Sequence, residues 1–156
     1  MTRQRLTLPK SERLTSRKTI NSLFEGGSRS LASYPIRVVY RIEKKRDNTT
    51  ADSVGSCKEK QNDSLTTSDN ITLKVMFSVS KRHFKHAVDR NRIKRQMREA
   101  YRHAREVICQ KLANSTPTTI NMVFIYSNNQ IIPTSEVMTK TKSLLTRMIE
   151  KYNEQQ

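Results

Sequence analysis

The stretch KRHFKHAVDRNRIKRQMREAYRHAR, residues 81–105, carries ten lysines and arginines against two acids, Asp89 and Glu99. At 100° per residue, its apolar residues gather on about a third of a helix circumference. This stripe consists of Ile93, Met97, Ala100, Tyr101, Ala104 and Ile108. The adjoining arc consists of Asn91, Lys94, Arg95, Arg98, Arg102 and Arg105. Because cations this close repel one another unless a polyanion neutralises them, the pattern predicts a helix with one side on a core and the other on phosphate.

The segments on either side predict a small sheet. Apolar residues alternate with polar ones over 36–42 and 71–79, the period of half-buried strands, and 119–126 is a nearly continuous apolar run typical of a strand covered on both faces. A short helix is expected from Thr15 or Ser16 to Phe24, and a last helix from Thr134 or Ser135 to beyond Tyr152. The order α-β-β-α-β-α favours an α/β (α+β) sandwich, with helices packed on a small mixed sheet.

The chain has 156 residues, which favours a single domain. Residues 1–13 are basic and polar, and predict a loosely ordered arm. The tract 43–70 has no aromatic residue and only isolated apolar ones, so burial cannot offset its ordering entropy. We therefore expect a long, mobile loop there, between two strands.

The formal net charge of +16 makes nucleic acid the leading partner class, with an anionic membrane surface second. The sequence has no apolar stretch long enough to span a bilayer, and its N-terminal residues contain no hydrophobic block of a signal peptide. A cytoplasmic protein is therefore expected. Cys57 and Cys109 lack partners at metal-ligand spacing and are predicted to be free thiols.

No group of residues in the sequence resembles a catalytic or metal centre. The three histidines, His83, His86 and His103, lie in or beside the cationic stretch, without acidic or cysteine ligands usefully placed nearby. The acids form no carboxylate cluster, and the glycines at 26, 27 and 55 cannot build a phosphate-binding loop. We therefore predict no catalytic residue and no metal ligand in this chain.

Nucleic-acid binding remains, and arginines suit a folded RNA because their planar forks engage phosphate and stack on bases. Asn91 lies between two arginines, and its amide could bond a sugar, a base edge or its own backbone. Phe24 or Tyr40 on an exposed sheet face would give single-stranded bases a stacking surface, although ordinary core packing is the commoner role. A solvated basic helix without a specific partner is the plainer alternative for the whole stretch.

The order of residues resembles a known family. The segment DRNRIKRQMREAYR, residues 89–102, preceded by SVSKRHFKHAV, is similar to the Arg-Asn-Arg signature of the bacterial ribonuclease P protein component. The segment RLTSRKTINSLFEGGSRS, residues 13–30, agrees with that family as well. The resemblance covers about residues 12–42 and 71–152. The tract 43–70 is longer than the family's usual connection.

The resemblance implies a fold, partners and sites. The signature helix would join two parallel strands by a left-handed crossover, against the usual right-handed rule. The partners would be the catalytic RNA of ribonuclease P and precursor tRNA, whose 5′ leader is removed by hydrolysis that uses Mg²⁺ held mainly by RNA. The protein would be an accessory subunit of this endoribonuclease without catalytic residues, cofactor, membrane or DNA partner. The alternative is a structural RNA-binding protein, such as a ribosomal protein or an RNA chaperone.

Two residue sets follow from the resemblance. Those predicted to bind the RNA subunit are Lys81, Arg82, Arg90, Asn91, Arg92, Lys94, Arg95 and Arg98. Those predicted to line the cleft for the leader are Ile20, Phe24 and Tyr40, with Ile20 standing where the family often has an aromatic residue.

Overall fold

Three nine-residue strands, two with alternating apolar residues and one that is almost wholly apolar, form most of the sheet in a computed structural model, which describes residues 8–44, 71–112 and 118–154. The elements are a one-turn 3-10 helix Lys10–Glu12, α1 Arg17–Phe24, β1 Arg29–Ser33, β2 Ile36–Lys44, β3 Ile71–Val79, α2 Ala87–Leu112, β4 Thr118–Tyr126 and α3 Thr134–Asn153. The strand order is β1-β2-β4-β3. β3 and β4 are parallel, and the other neighbours are antiparallel.

The predicted sandwich with a mixed sheet is confirmed. α2 connects the two parallel neighbours β3 and β4, as the resemblance implied. The handedness of that connection stays a prediction.

One strand and the start of the basic helix differ from the prediction. The strand β1 was not predicted, because only Leu31 of its five residues is buried and the segment lacks an apolar alternation. The basic helix begins at Ala87 and not at Lys81. Residues 81–86 form a turn instead, in which Phe84 is buried against Tyr126 with ring centroids 6.1 Å apart. Because the side chain of Phe84 is inserted into the core, the chain does not become helical until Ala87.

The main core lies between the sheet and the pair α2 and α3. The predicted apolar stripe of α2 is confirmed, since all six of its residues are buried. Phe124 of β4 stacks on Phe77 of β3 at 5.5 Å between centroids, and Tyr101 of α2 meets both rings edge-on at 6.0 Å. This aromatic contact fixes the basic helix on the sheet.

The opposite face of the sheet is covered only in part, by α1. Ser16 caps this helix by accepting a hydrogen bond from the backbone N–H of Thr19 at 3.5 Å, and two glycines with positive φ follow its end. Its buried residue is Leu23, which packs with Leu14 and Val123 in a second, smaller core. The residues that the structure describes leave the remainder of this face open.

Residues 8–13, which belong to the arm predicted over 1–13, contact the rest of the chain. Leu8 is buried in the main core, and the carboxylate of Glu12 pairs with Arg105 of α2. The backbone N–H of Leu14 donates to the carbonyl of Val75 at 3.0 Å, so the segment covers part of the β3 edge. Edge strands with unpaired backbone groups are readily covered in this way. Residues 1–7 lie outside the described residues.

The prediction places the start of the loop over 43–70 two residues too early, because Glu43 and Lys44 continue β2 opposite Thr119 and Thr118. Residues 45–70, which include Cys57, lie outside the described part of the chain. Within the described ranges, no helix has the length and apolar character needed to cross a bilayer.

Candidate nucleic-acid interface

The turn before α2 is fixed by Arg90. Its guanidinium Nη1 donates to the backbone carbonyls of Phe84 at 2.8 Å and Lys85 at 2.6 Å. These two carbonyls precede the helix and need hydrogen-bond donors from elsewhere, and the charged guanidinium donates to both. Arg90 therefore has a structural contact that the sequence pattern did not indicate. Lys81 and Arg82, in the same turn, are exposed.

The first turns of α2 bring together the other predicted contacts. Asn91, Arg92, Arg95 and Arg98 are exposed, and Lys94 is half-buried. Within residues 8–44, 71–112 and 118–154, the structure gives the side chains of these four cations neither an ion pair nor a hydrogen bond. We call the set Arg92, Lys94, Arg95 and Arg98 the cation face.

Later arginines of the same helix are used within the protein. Arg102 forms an ion pair with Glu99, with 2.9 Å between the nitrogen and oxygen atoms. Arg105 pairs with Glu12 of the N-terminal segment. The predicted cationic arc therefore has two parts. Its later arginines form ion pairs within the protein, and its earlier cations remain available to a partner.

The cation face is electrostatically costly because like charges three or four residues apart on a helix repel one another. Arg92, Arg95 and Arg98 are spaced in this way, and Lys94 stands four residues before Arg98. These cations, which have no partner among the described residues, are therefore most stable when a polyanion such as an RNA backbone lies against them.

A second surface lies along α1, where two of the three predicted cleft residues are found. Phe24 is 57% exposed at the end of the helix. Ile20, one turn earlier on the same side, is half-buried against the small core of Leu14, Leu23 and Val123. An exposed aromatic ring beside an apolar side chain offers a platform on which a base can stack.

The placement of Tyr40 in this cleft is wrong. Tyr40 is 1% exposed and lies in the main core, on the face of the sheet that α2 and α3 cover. Burial raises the pKa of its phenol, against the opposing effect of Arg29. Strand parity contains the correct signal, because Tyr40 alternates in phase with the core residues Ile36 and Val38.

The residues of β2 that do face the cleft side are Arg37, Val39 and Arg41, which sequence reasoning did not select. Arg41 donates to the carbonyl of Gly26, and Arg37 donates to the hydroxyl of Ser30 at 3.2 Å. Their positive charges extend the basic character of this face across the sheet. The same parity argument identifies them, because they occupy the odd positions of β2.

The described residues offer no cluster of three or more His, Cys, Asp or Glu that could hold a metal ion. His83 and His86 are exposed in the segment that precedes α2. Cys109 is a half-buried free thiol, and burial raises its pKa. The geometry thus provides two basic surfaces for a polyanion.

Comparison with known proteins agrees with this geometry. The family model described as Ribonuclease P matches residues 8–149. A protein of Porphyromonas gingivalis named ribonuclease P protein component is 39% identical over 95 residues, 61% of this chain and 53% of that protein. One of Chlorobaculum tepidum with the same name is 51% identical over 43 residues, 28% of each chain. The alignment thus spans about half the length of the Porphyromonas relative.

Solved structures show the same fold. The ribonuclease P protein of Thermotoga maritima superposes with a TM-score of 0.56, at 21% identity, over 87% of this chain and 96% of that one. That of Staphylococcus aureus gives a TM-score of 0.50, at 18% identity, over 89% and 96%. Since the family model covers nearly the whole described chain, including both helices that carry the basic surfaces, this chain belongs to the ribonuclease P protein family.

Proposed function

We propose that this chain is the protein subunit of ribonuclease P, which assists a catalytic RNA in removing the 5′ leader of precursor tRNA. The observation that carries the proposal is the cation face. It lies in the segment DRNRIKRQMREAYR, and its side chains lack partners within the described protein while later arginines have them. Family membership supplies the partner class for this surface.

The cation face is proposed to dock the RNA subunit. Arg92, Arg95 and Arg98 each present a planar fork that can hold two phosphate oxygens, and Lys94 adds a point charge. Asn91, exposed among them, can bond a sugar or a base edge. Lys81 and Arg82 extend the same surface into the turn, while Arg90 fixes that turn and keeps its remaining donors for phosphate.

The flank of α1 that carries Ile20 and Phe24 is proposed to hold the single-stranded leader. A stacked base gains about 1–3 kcal/mol from an aromatic ring and needs no particular sequence, as expected for leaders of varied composition. Arg37 lies on the same face of the sheet and can screen the leader's phosphates.

The hydrolysis itself is proposed to use Mg²⁺ held mainly by RNA. The described residues do not provide a fitting set of metal ligands, so we assign them binding and positioning. Neutralising phosphates near the reacting bond lowers the repulsion that opposes substrate docking. The proposed function also implies a cytoplasmic location and an RNA partner, with no membrane or DNA partner.

Reconstitution tests the proposal. The full chain is combined with the cognate RNA subunit, and cleavage of precursor tRNA is measured at physiological salt. We expect stimulation in the presence of the RNA subunit and no cleavage by the protein alone. Stimulation should also shrink with very short leaders. A protein that binds RNA without changing this cleavage would instead be a structural RNA-binding protein, such as a ribosomal protein or an RNA chaperone.

A charge-matched pair of variants tests the cation face. The triple change Arg92→Ala, Arg95→Ala and Arg98→Ala removes three exposed cations and avoids the structural contact of Arg90. The control Lys111→Ala, Lys142→Ala and Lys151→Ala removes three exposed cations elsewhere. We expect the first set to weaken assembly with the RNA subunit strongly at physiological salt and the second to leave it nearly unchanged. Equal effects would mean that only net charge matters.

A further inference from the structure

One end of the sheet brings together the starts of both long helices and the tip of a hairpin. Val79 and Tyr126, the last residues of the parallel strands, are register partners, and Ile36, the first residue of β2, lies opposite Tyr126. The turn 81–86 before α2, the loop 127–133 before α3 and the hairpin that joins β1 to β2 therefore meet at this end. The cation face begins in the second turn of α2 and so lies close to it.

Tyr34 lies at the tip of that hairpin, between Ser33 of β1 and Ile36 of β2. It is 69% exposed, whereas its neighbour Pro35 is buried. Among the residues that the structure describes, no other aromatic ring packs against Tyr34. A side chain that remains mostly in water contributes little to the core, so the fold does not explain an aromatic ring at this position.

The contacts of the hairpin tip place Tyr34 on the helical side of the sheet. The backbone N–H of Ser127 donates to the carbonyl of Pro35 at 2.8 Å, which joins the tip to the loop before α3. Burial raises the pKa of the Tyr126 phenol, and the nearby phenol of Tyr34 adds to this rise. Tyr126 belongs to the main core, which α2 and α3 cover. Tyr34 therefore lies on the opposite side of the sheet from Phe24 and the surface proposed for the leader.

Tyr126 also links this tip to the basic turn before α2. Its ring packs on Phe84 at 6.1 Å between centroids, and Phe84 lies in the middle of that turn. The exposed cations of the turn are Lys81, Arg82 and Lys85. An exposed aromatic ring and a set of exposed cations are thus held on two sides of one buried tyrosine.

The cation face reaches the same region through Gln96 of α2. The side-chain Nε2 of Gln96 donates to the carbonyl of Ile132 at 3.2 Å and to the hydroxyl of Thr134 at 3.1 Å. Arg92 lies four residues earlier and therefore on the same side of the helix. Arg92 and the hairpin tip thus flank the loop that leads into α3.

The charges around this tip are unevenly distributed. The exposed cations lie towards α2, whereas Glu136 is exposed in the first turn of α3 and adds to the raised pKa of Tyr126. A phosphate backbone that approaches this end of the molecule is therefore attracted towards α2 and repelled from the start of α3. Tyr34 lies beside that path.

We propose that Tyr34 stacks on an unpaired base of the RNA subunit, with the neighbouring phosphates lying on Arg92 and the turn 81–86. Folded RNAs expose such bases in loops and bulges, where aromatic side chains stack on them. Paired bases within a helix offer no free face to the ring, so this contact fixes the position of the RNA along α2. The inference rests on the proposed function in one respect, namely that the RNA subunit docks on the cation face.

Filter binding of the RNA subunit to the full chain measures the contact. Tyr34→Leu stays apolar and loses the ring, so it should raise the dissociation constant by about fivefold or more, the lower end for base stacking. Tyr34→Phe keeps the ring and should bind like the wild type. Because stacking neutralises no phosphate, Tyr34→Leu should keep the wild-type salt slope, unlike the triple variant of the cation face. Urea denaturation should give both variants wild-type stability.

A fluorescent variant reports on the stacking directly. The chain has no tryptophan, so Tyr34→Trp introduces a single indole. A base stacked on that indole quenches its emission, and the RNA subunit should therefore quench it over the concentration range in which it binds. Phe24→Trp places the indole on the opposite side of the sheet, where quenching should instead require precursor tRNA.

Two results overturn the inference: wild-type affinity in Tyr34→Leu, or unquenched emission from Tyr34→Trp in the assembled complex. A loss of affinity that Tyr34→Phe shares, or that accompanies an equal loss of stability, overturns it as well. Each leaves the proposed function intact if the wild type stimulates precursor cleavage. Affinity that depends on the ring of Tyr34, without any stimulation of cleavage, overturns the proposed function and supports the stacking contact.

Discussion

At the residue scale, neighbouring arginines of the signature differ in what they contact. Arg90 donates to two backbone carbonyls of the preceding turn, whereas Arg92 is exposed and has no protein partner among the described residues. The same residue type thus serves the fold at one position and is free for a partner two positions later. Substitutions at the two sites should therefore separate stability from RNA binding.

Arg90→Ala should lower the free energy of unfolding by about 1–2 kcal/mol, because it leaves the carbonyls of Phe84 and Lys85 without their charged donor. Arg92→Ala should change it by less than about 0.5 kcal/mol, as is usual for exposed positions. Urea denaturation of both variants measures the difference. Arg90→Lys provides a control, since it keeps the charge but loses the planar fork. Equal stabilities for both alanine variants would show that the turn does not need Arg90.

Glu12 predicts a pH dependence of stability. Burial raises the pKa of its carboxyl above the ordinary value of 4.5, and the charge of Arg105 opposes this rise without cancelling it. A group with a raised pKa in the folded state stabilises the fold fully below its unfolded pKa, and this contribution is lost as pH rises through the folded value. Wild-type stability should therefore fall relative to Glu12→Gln as pH increases upward from about 4.5.

Urea denaturation of the wild type and Glu12→Gln at several values between pH 4 and 7 gives the required difference. Glutamine keeps the shape of the side chain and does not ionise, so other titrating groups cancel in the comparison. A wild type that gains stability over Glu12→Gln with rising pH would mean that the ion pair with Arg105 outweighs the cost of burial.

At the element scale, α1 depends on a small set of contacts. It has eight residues, and its one buried side chain is Leu23. Isolated helices of this length are not stable in water, so packing against Leu14 and Val123 holds it on the sheet. The stacking surface of Ile20 and Phe24 is therefore positioned by this one helix.

Leu23→Ala should therefore cost about 2–5 kcal/mol of unfolding free energy, the usual range for a buried leucine. Binding of single-stranded oligomers should weaken, because Phe24 loses its fixed position. Urea denaturation and fluorescence anisotropy measure the two effects. Leu145→Ala in the main core is the control, since it destabilises the protein at a distance from α1. If both variants reduce oligomer binding equally, general destabilisation explains the effect.

The elements also show which parts of the fold sequence patterns could predict. Strands β2, β3 and β4 and helix α3 have long apolar patterns. Most of their predicted first and last residues lie within one or two positions of those in the structure. β1 was missed because its short sequence buries only Leu31. The start of α2 was misplaced because cationic residues run through both the preceding turn and the helix. Only the burial of Phe84 distinguishes the turn from the helix.

At the scale of the whole molecule, sequence spacing identifies the residues of the cation face better than those of the open sheet face. The residues of the cation face follow one another along a single helix, so local spacing defined them. The open face combines residues from α1, β2, β3 and β4, and local spacing cannot decide which strand face α1 covers. Tyr40 was therefore assigned to the wrong face, and Arg37 and Arg41 were not selected.

The net charge of +16 predicts that binding to the RNA subunit weakens steeply with salt. Each neutralised phosphate contributes a slope of about −0.7 to −0.9 to the plot of log K against log salt concentration. The triple variant Arg92→Ala, Arg95→Ala and Arg98→Ala should reduce the slope's magnitude by roughly 2–3, because three phosphate contacts are lost. The control Lys111→Ala, Lys142→Ala and Lys151→Ala has the same net charge and should keep nearly the wild-type slope. Filter binding at several salt concentrations measures all three slopes. Matching reductions in both variants would show that the RNA responds to total charge and not to the cation face.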